Sequence, residues 1–91
     1  MKSLKCKVEQ FEGRKGAVKN QFILRTDKGT YFQSYDSIIV FEPREGKTQL
    51  DQNYWDYSVT TGKYRNQFLN ETKKETEAKI KNGTYILTDL N

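Results

Sequence analysis

The sequence predicts an α+β fold: a small twisted antiparallel β-sheet of five or six strands with two short helices between residues 58 and 82. Three observations predict it. Strand-favouring stretches separated by glycine-bearing turns fill the first fifty residues. Two helix-start signals follow, a capping-competent Ser58 and the box Thr72-x-x-Glu75. A final apolar stretch, Thr84 to Leu90, then returns to the strand pattern. At 91 residues and 10.7 kDa, residues 1–91 make a single domain.

Leu4, Cys6 and Val8 alternate with Lys5, Lys7 and Glu9, the period of a strand with one buried face. That phase makes Cys6 a small core residue and turns Lys5 and Lys7 outward. Glu12-Gly13-Arg14-Lys15-Gly16 is a turn with Arg14 and Lys15 at its tip. Asn20 to Thr26 is a strand, paired through a hairpin at Asp27-Lys28-Gly29 with the strand that opens at Thr30. Alternation puts Phe32 and Ser34 on one face and Tyr31, Gln33 and Tyr35 on the other. Ser34 to Ser37 is too polar to continue a flat buried strand, which predicts a bend or bulge near Asp36 before Ile38 to Phe41. Pro43 and Gly46 frame a turn, and Lys47 to Leu50 is a short return strand.

The pattern changes at Ser58. Ser58 and Thr60 can each cap a helix running from roughly Thr60 to Leu69, with Tyr64, Phe68 and Leu69 on one stripe. The second helix runs from Thr72 to Asn82-Gly83, supported by Glu75/Lys79 and Glu77/Lys81. Its narrow apolar face holds Ala78 and Ile80 with Thr76.

Composition excludes most chemistry. There is no histidine and one cysteine, so Ser-His-Asp, Cys-His and Cys/His metal sites cannot be assembled from this chain. Asp51-Gln52-Asn53 begins like a calcium loop, but Asp56 stands where glycine is needed and Gly62 where a chelating glutamate is needed. No glycine pair carries the lysine and hydroxyl of a phosphate loop. The expectation is a non-enzymatic protein with no cofactor and no metal. With no long apolar run and no leader pattern, it is expected to be soluble and intracellular, without membrane contact.

The net charge of +4 is uneven. Residues 1–28 hold eight basic and three acidic side chains, residues 29–62 two and five, and residues 63–91 six and four. Lys5, Lys7, Arg14, Lys15 and Lys19 are therefore candidates for contact with nucleic acid or an acidic protein surface, against the plainer reading of a solvated lysine-rich face. Tyr31 and Tyr35 are candidates for stacking against bases or a partner.

The segment Tyr54-Trp55-Asp56-Tyr57-Ser58-Val59-Thr60-Thr61 to Phe68-Leu69, preceded by Ser34-Tyr35-Asp36-Ser37-Ile38-Ile39-Val40, resembles a group of small bacteriophage proteins not tied to a defined activity. The likeness covers about Asn20 to Leu69; Tyr64 stands where that pattern frequently has histidine. Trp55 and Tyr57 are expected to anchor the turn into the helix, Asp56 and Ser58 to cap it, and Thr60 and Thr61 to satisfy its first amides. The resemblance implies a phage protein that acts by binding in the cytoplasm of an infected bacterium. Its partner would be a host protein or ribonucleoprotein, with a candidate anti-CRISPR role against an RNA-guided nuclease of the RNA-targeting type VI class. A single-stranded nucleic-acid binder and a minor virion structural or assembly protein are the alternatives.

Overall fold

The structure, a computed structural model, describes residues 6–13 and 16–91, so Lys5, Arg14 and Lys15 lie outside the described residues. Five strands form a meander: β1 (Cys6–Gly13), β2 (Gly16–Thr26), β3 (Gly29–Ser34), β4 (Ser37–Pro43) and β5 (Gln49–Asp51). Two helices, α1 (Val59–Leu69) and α2 (Lys73–Lys81), lead to β6 (Ile86–Thr88). The strands lie side by side in sequence order in one open six-stranded sheet. It is mixed rather than wholly antiparallel, because β6 pairs parallel to β5. The two intervening helices supply the long connection that parallel neighbours require.

Turn chemistry sets the meander. β2 and β3 join through two residues, Asp27 and Lys28, with Thr26 opposite Gly29. A Cβ on Gly29 would stand 2.3 Å from the Glu42 carbonyl oxygen, so only glycine fits there. The polar stretch at Ser34–Ser37 is a complete reversal: Tyr35 and Asp36 form the turn between β3 and β4, and the bulge lies further on, at Ile39.

The core lies between the sheet and the helices. Phe11, Phe32, Ile39, Val40, Leu50 and Tyr85 are buried, with Ile23, Trp55, Tyr64, Phe68, Leu69 and Ile80 packed around them. Phe32 is its centre, edge-to-face with Phe11 at 5.5 Å and stacked with Phe68 at 5.6 Å. The expected phase of β1 is overturned. Glu9 pairs with Ile23, which pairs with Phe32, so the odd-numbered residues of β1 face the helices. Cys6 is exposed and Val8 is 61% exposed on the opposite face. The apolar residue that reaches the core is Phe11, at the register irregularity between Gln10 and Glu12.

Both helices are capped by side chains. Ser58 Oγ accepts the Thr61 amide at 3.1 Å, so α1 starts at Val59, and Thr60 is exposed within its first turn. Thr72 and Glu75 form the reciprocal capping box. Because Glu75 is held there, Lys79 pairs instead with Glu71 at 2.6 Å, and Ala78 is exposed while Thr76 is buried.

Asp51 fastens the end of the meander. Fully buried, it accepts amide hydrogens from Asn53 at 3.0 Å, Tyr54 at 2.9 Å and Leu90 at 2.8 Å, tying the turn after β5 to the C-terminal segment. Burial pushes its carboxyl up, but these charge-assisted bonds prevail and hold it below the usual carboxylate value.

Asp56 and Glu71 are lowered in the same sense: burial opposes, but their lysine and other hydrogen-bond partners prevail. Glu42 runs the other way, raised by burial and by the charge of Glu71. A carboxyl lowered in the folded state contributes stability above its unfolded pKa and loses it as pH falls through the folded value. A raised one contributes below its unfolded pKa and loses it as pH rises through the folded value. With three lowered against one raised, thermal melts should show a midpoint that is nearly level around neutrality and falls steeply below about pH 4. A midpoint that rises on acidification to pH 3 would contradict this account of Asp51, Asp56 and Glu71.

Candidate binding surface

The helices cover one face of the sheet and leave the other open. Register rows define the open face, because residues paired across strands share a face. The central row runs Val8, Leu24, Tyr31, Phe41, Gln49 and Ile86. Gln10, Phe22, Gln33 and Ile38 form the row on one side, and Cys6, Thr26, Gly29 and Pro43 the row on the other. None of these side chains packs on the core cluster, and none is charged. Tyr31 and Phe41 stack on each other at 4.3 Å with an interplanar angle of 17°.

The aromatic and basic candidates do not meet. Tyr31 lies on the open face, whereas Lys7 pairs with Arg25 on the helix-bearing face; Lys19 is exposed on β2. Arg25 is itself paired with Glu9 at 3.1 Å. Beside it a groove of about 860 Å³ runs between the sheet and the end of α1, floored by Phe11, Ile23 and Phe68 and walled by Glu9, Glu12, Glu42 and Arg25. Three carboxylates against one guanidinium make its wall acidic and unsuited to phosphate.

Tyr35 is neither a strand residue nor a face residue. It occupies the first turn position with φ 57°, a left-handed conformation rare for a bulky side chain, and is 45% exposed. Its amide donates to the carbonyl of Asn20, at φ 65° in β2, over 2.6 Å. Two left-handed residues thus brace each other at one end of the sheet.

The segment from Trp55 to Thr61 is organised around a residue the sequence reading missed. The Arg65 guanidinium, 1% exposed, donates from Nη1 to the Trp55 carbonyl at 2.6 Å and to Asp56 Oδ1 at 3.1 Å, and from Nη2 to Asn66 Oδ1 at 2.9 Å. It also lies 5.1 Å from the Trp55 ring. Asp56 is therefore an ion-pair partner of Arg65, and of Lys73 at 2.7 Å, rather than a cap. Thr61 is buried, and its hydroxyl meets that of Ser34 at 2.9 Å, joining β3 to α1. Trp55 is half-buried against the core, but Tyr57 is 46% exposed and touches Tyr54 edge-to-face at 5.4 Å. An available signal for Arg65 was its place four residues after Thr61 and three before Phe68, on the inward stripe of α1.

Among the described residues no three histidine, cysteine, aspartate or glutamate side chains are grouped to hold a metal ion, and no helix is long and apolar enough to cross a membrane. Residues 6–83 match a family of unknown function, DUF8033. No curated protein and no solved structure matches the chain.

The contrast within Trp55–Arg65 is measurable. Arg65→Ala empties a fully buried site and leaves the Trp55 carbonyl and Asn66 Oδ1 without their donor, while Asp56 keeps Lys73, and should cost about 3–5 kcal/mol in chemical denaturation. Tyr57→Ala should stay within about 0.5 kcal/mol of the parent, as an exposed side chain with one aromatic contact. Equal losses from the two variants would refute this division of roles.

Proposed function

The chain belongs to this family of unknown function, and from that premise we propose that it is a non-enzymatic binding protein that works through protein–protein contact centred on the open face of its sheet. The observation that carries the reading is the set of uncharged register rows around Tyr31 and Phe41. Depletion of charge and enrichment of aromatic residues distinguish the centre of a protein interface from ordinary surface.

The partner class that the phage resemblance implies, a host defence nucleoprotein with an RNA-guided nuclease as candidate, is kept as the target, with occlusion rather than chemistry as the mode of inhibition. Single-stranded nucleic-acid binding is the second reading, and the Tyr31–Phe41 pair on an open sheet favours it, since aromatic side chains on sheets stack bases. That mode also needs cations along the same face to neutralise phosphate, and the rows carry none.

Two measurements separate these readings. Retention of a host partner on the immobilised protein should survive ribonuclease and be lost with Val8→Lys/Ile86→Lys, both sites being exposed enough to leave the fold intact. Fluorescence anisotropy with a labelled single-stranded RNA should show weak binding that Tyr31→Ala does not change. Ribonuclease-sensitive retention, together with RNA affinity that falls on Tyr31→Ala, would replace the protein-contact reading with the nucleic-acid one.

A further inference from the structure

We infer that the open face is covered by a second copy of this chain, two sheets packing face to face about a two-fold axis with the helices of both copies outward. The inference rests on the reading of that face as a protein-contact surface and names its occupant.

Charge is the first ground. In a two-fold interface the same patch meets itself, so any charge near the axis meets its own kind. Val8, Leu24, Tyr31, Phe41, Gln49 and Ile86 cross the whole sheet without a single charge, although 31% of the chain is charged. A face for an acidic or basic partner would carry the opposite sign; this one is complementary to itself. The amides of Gln33 and Gln49 can donate and accept, and so can pair across a two-fold axis.

Area is the second ground. The molecule is a slab with Cα extents of 42 × 33 × 20 Å, its short dimension matching one sheet and one helix layer. With strands ~4.8 Å apart and ~3.3 Å per residue, the central row runs about 25 Å across six strands and each flanking row, ~6.6 Å to one side, about 15 Å across four. Side-chain relief brings this towards ~600 Å² per partner, the lower end of specific stable interfaces. Two such faces can pack ~10 Å apart with their strands within ~30° of each other, as in a β-sandwich. The bowed stack of Tyr31 on Phe41 then lies near the centre, where aromatic anchors contribute most.

The second copy occupies this face in the free protein and yields it to the host partner by mass action, so a substitution that weakens self-association through these rows also weakens capture. The test is multi-angle light scattering and sedimentation equilibrium on the full chain up to about 100 μM, well above the dissociation constants of standard-size interfaces. The parent should run at twice the 10.7 kDa chain mass. Val8→Lys/Ile86→Lys should weaken association at least tenfold, with far-UV circular dichroism and Trp55 fluorescence, reported from the opposite side of the sheet, unchanged. A parent that stays dimeric with both lysines in place uses another surface, which overturns the inference. A monomeric parent overturns it too, and the same variant then locates the failure. Loss of host-partner retention would leave the protein-contact reading standing, and unaltered retention would remove both.

Discussion

One helical layer for six strands is the constraint from which the rest of this structure follows. α1 and α2 span 11 and 9 residues, enough to roof one side of the sheet and no more. Phe11, Phe32, Val40 and Leu50 turn towards that roof and are lost to solvent. Tyr31, Gln33, Phe41 and Gln49, the neighbours of Phe32, Val40 and Leu50 on the other side of the pleat, turn away from it, and among the described residues neither helix packs on them. The open face thus follows from the topology of the described residues, which puts both helices on one side of the sheet.

A core of this size would be marginal by apolar burial alone, and polar clamps hold its margins. Asp51 gathers three amides from two separate segments. Arg65 draws the Trp55–Asp56 turn onto α1. Ser34 and Thr61 share a buried hydroxyl pair between β3 and α1. Glu71 receives Thr76 and Lys79 at 2.6 Å each, and burial together with the bond to Glu71 pushes the Tyr85 hydroxyl up to about 12. All four clamps lie at joints between elements rather than within them. Each is worth most where its partners are already desolvated, and removing one member leaves the other uncompensated.

The legible parts of the fold were those encoded locally. Turn chemistry at Asp27–Gly29 and Pro43–Gly46, the Ser58 cap and the Thr72 box gave element number, order and boundaries to within a few residues. What failed depended on long-range geometry. β1 reads as Leu4, Cys6 and Val8 inward, yet the irregularity beside Phe11 and the pairing of Glu9 with Ile23 put the other set under the helices. No residue of β1 alone records that choice, since it is made by β2. Arg65 failed for a similar reason: a basic side chain on a helix reads as solvated until its three acceptors arrive from the preceding turn and the neighbouring residue. At the surface, Tyr31 was legible as facing away from Phe32, but its bond to a whole uncharged face was not, because the rows join residues from six strands.

Charge placement gives that face its meaning. A well-solvated protein surface is ~25–35% charged, a share at which rows of this size would hold about four or five lysines, arginines, aspartates or glutamates. They hold none, while the helix-bearing side of the same strands carries Lys7, Glu9, Arg25 and Glu42 at corresponding depths. Both sides of β1, β2 and β3 share one backbone, the same strand propensities and the same turns, so neither propensity nor local structure separates them. The proposed protein contact accounts for the difference by what each side would meet: a groove open to water on one, and on the other a protein surface that excludes it.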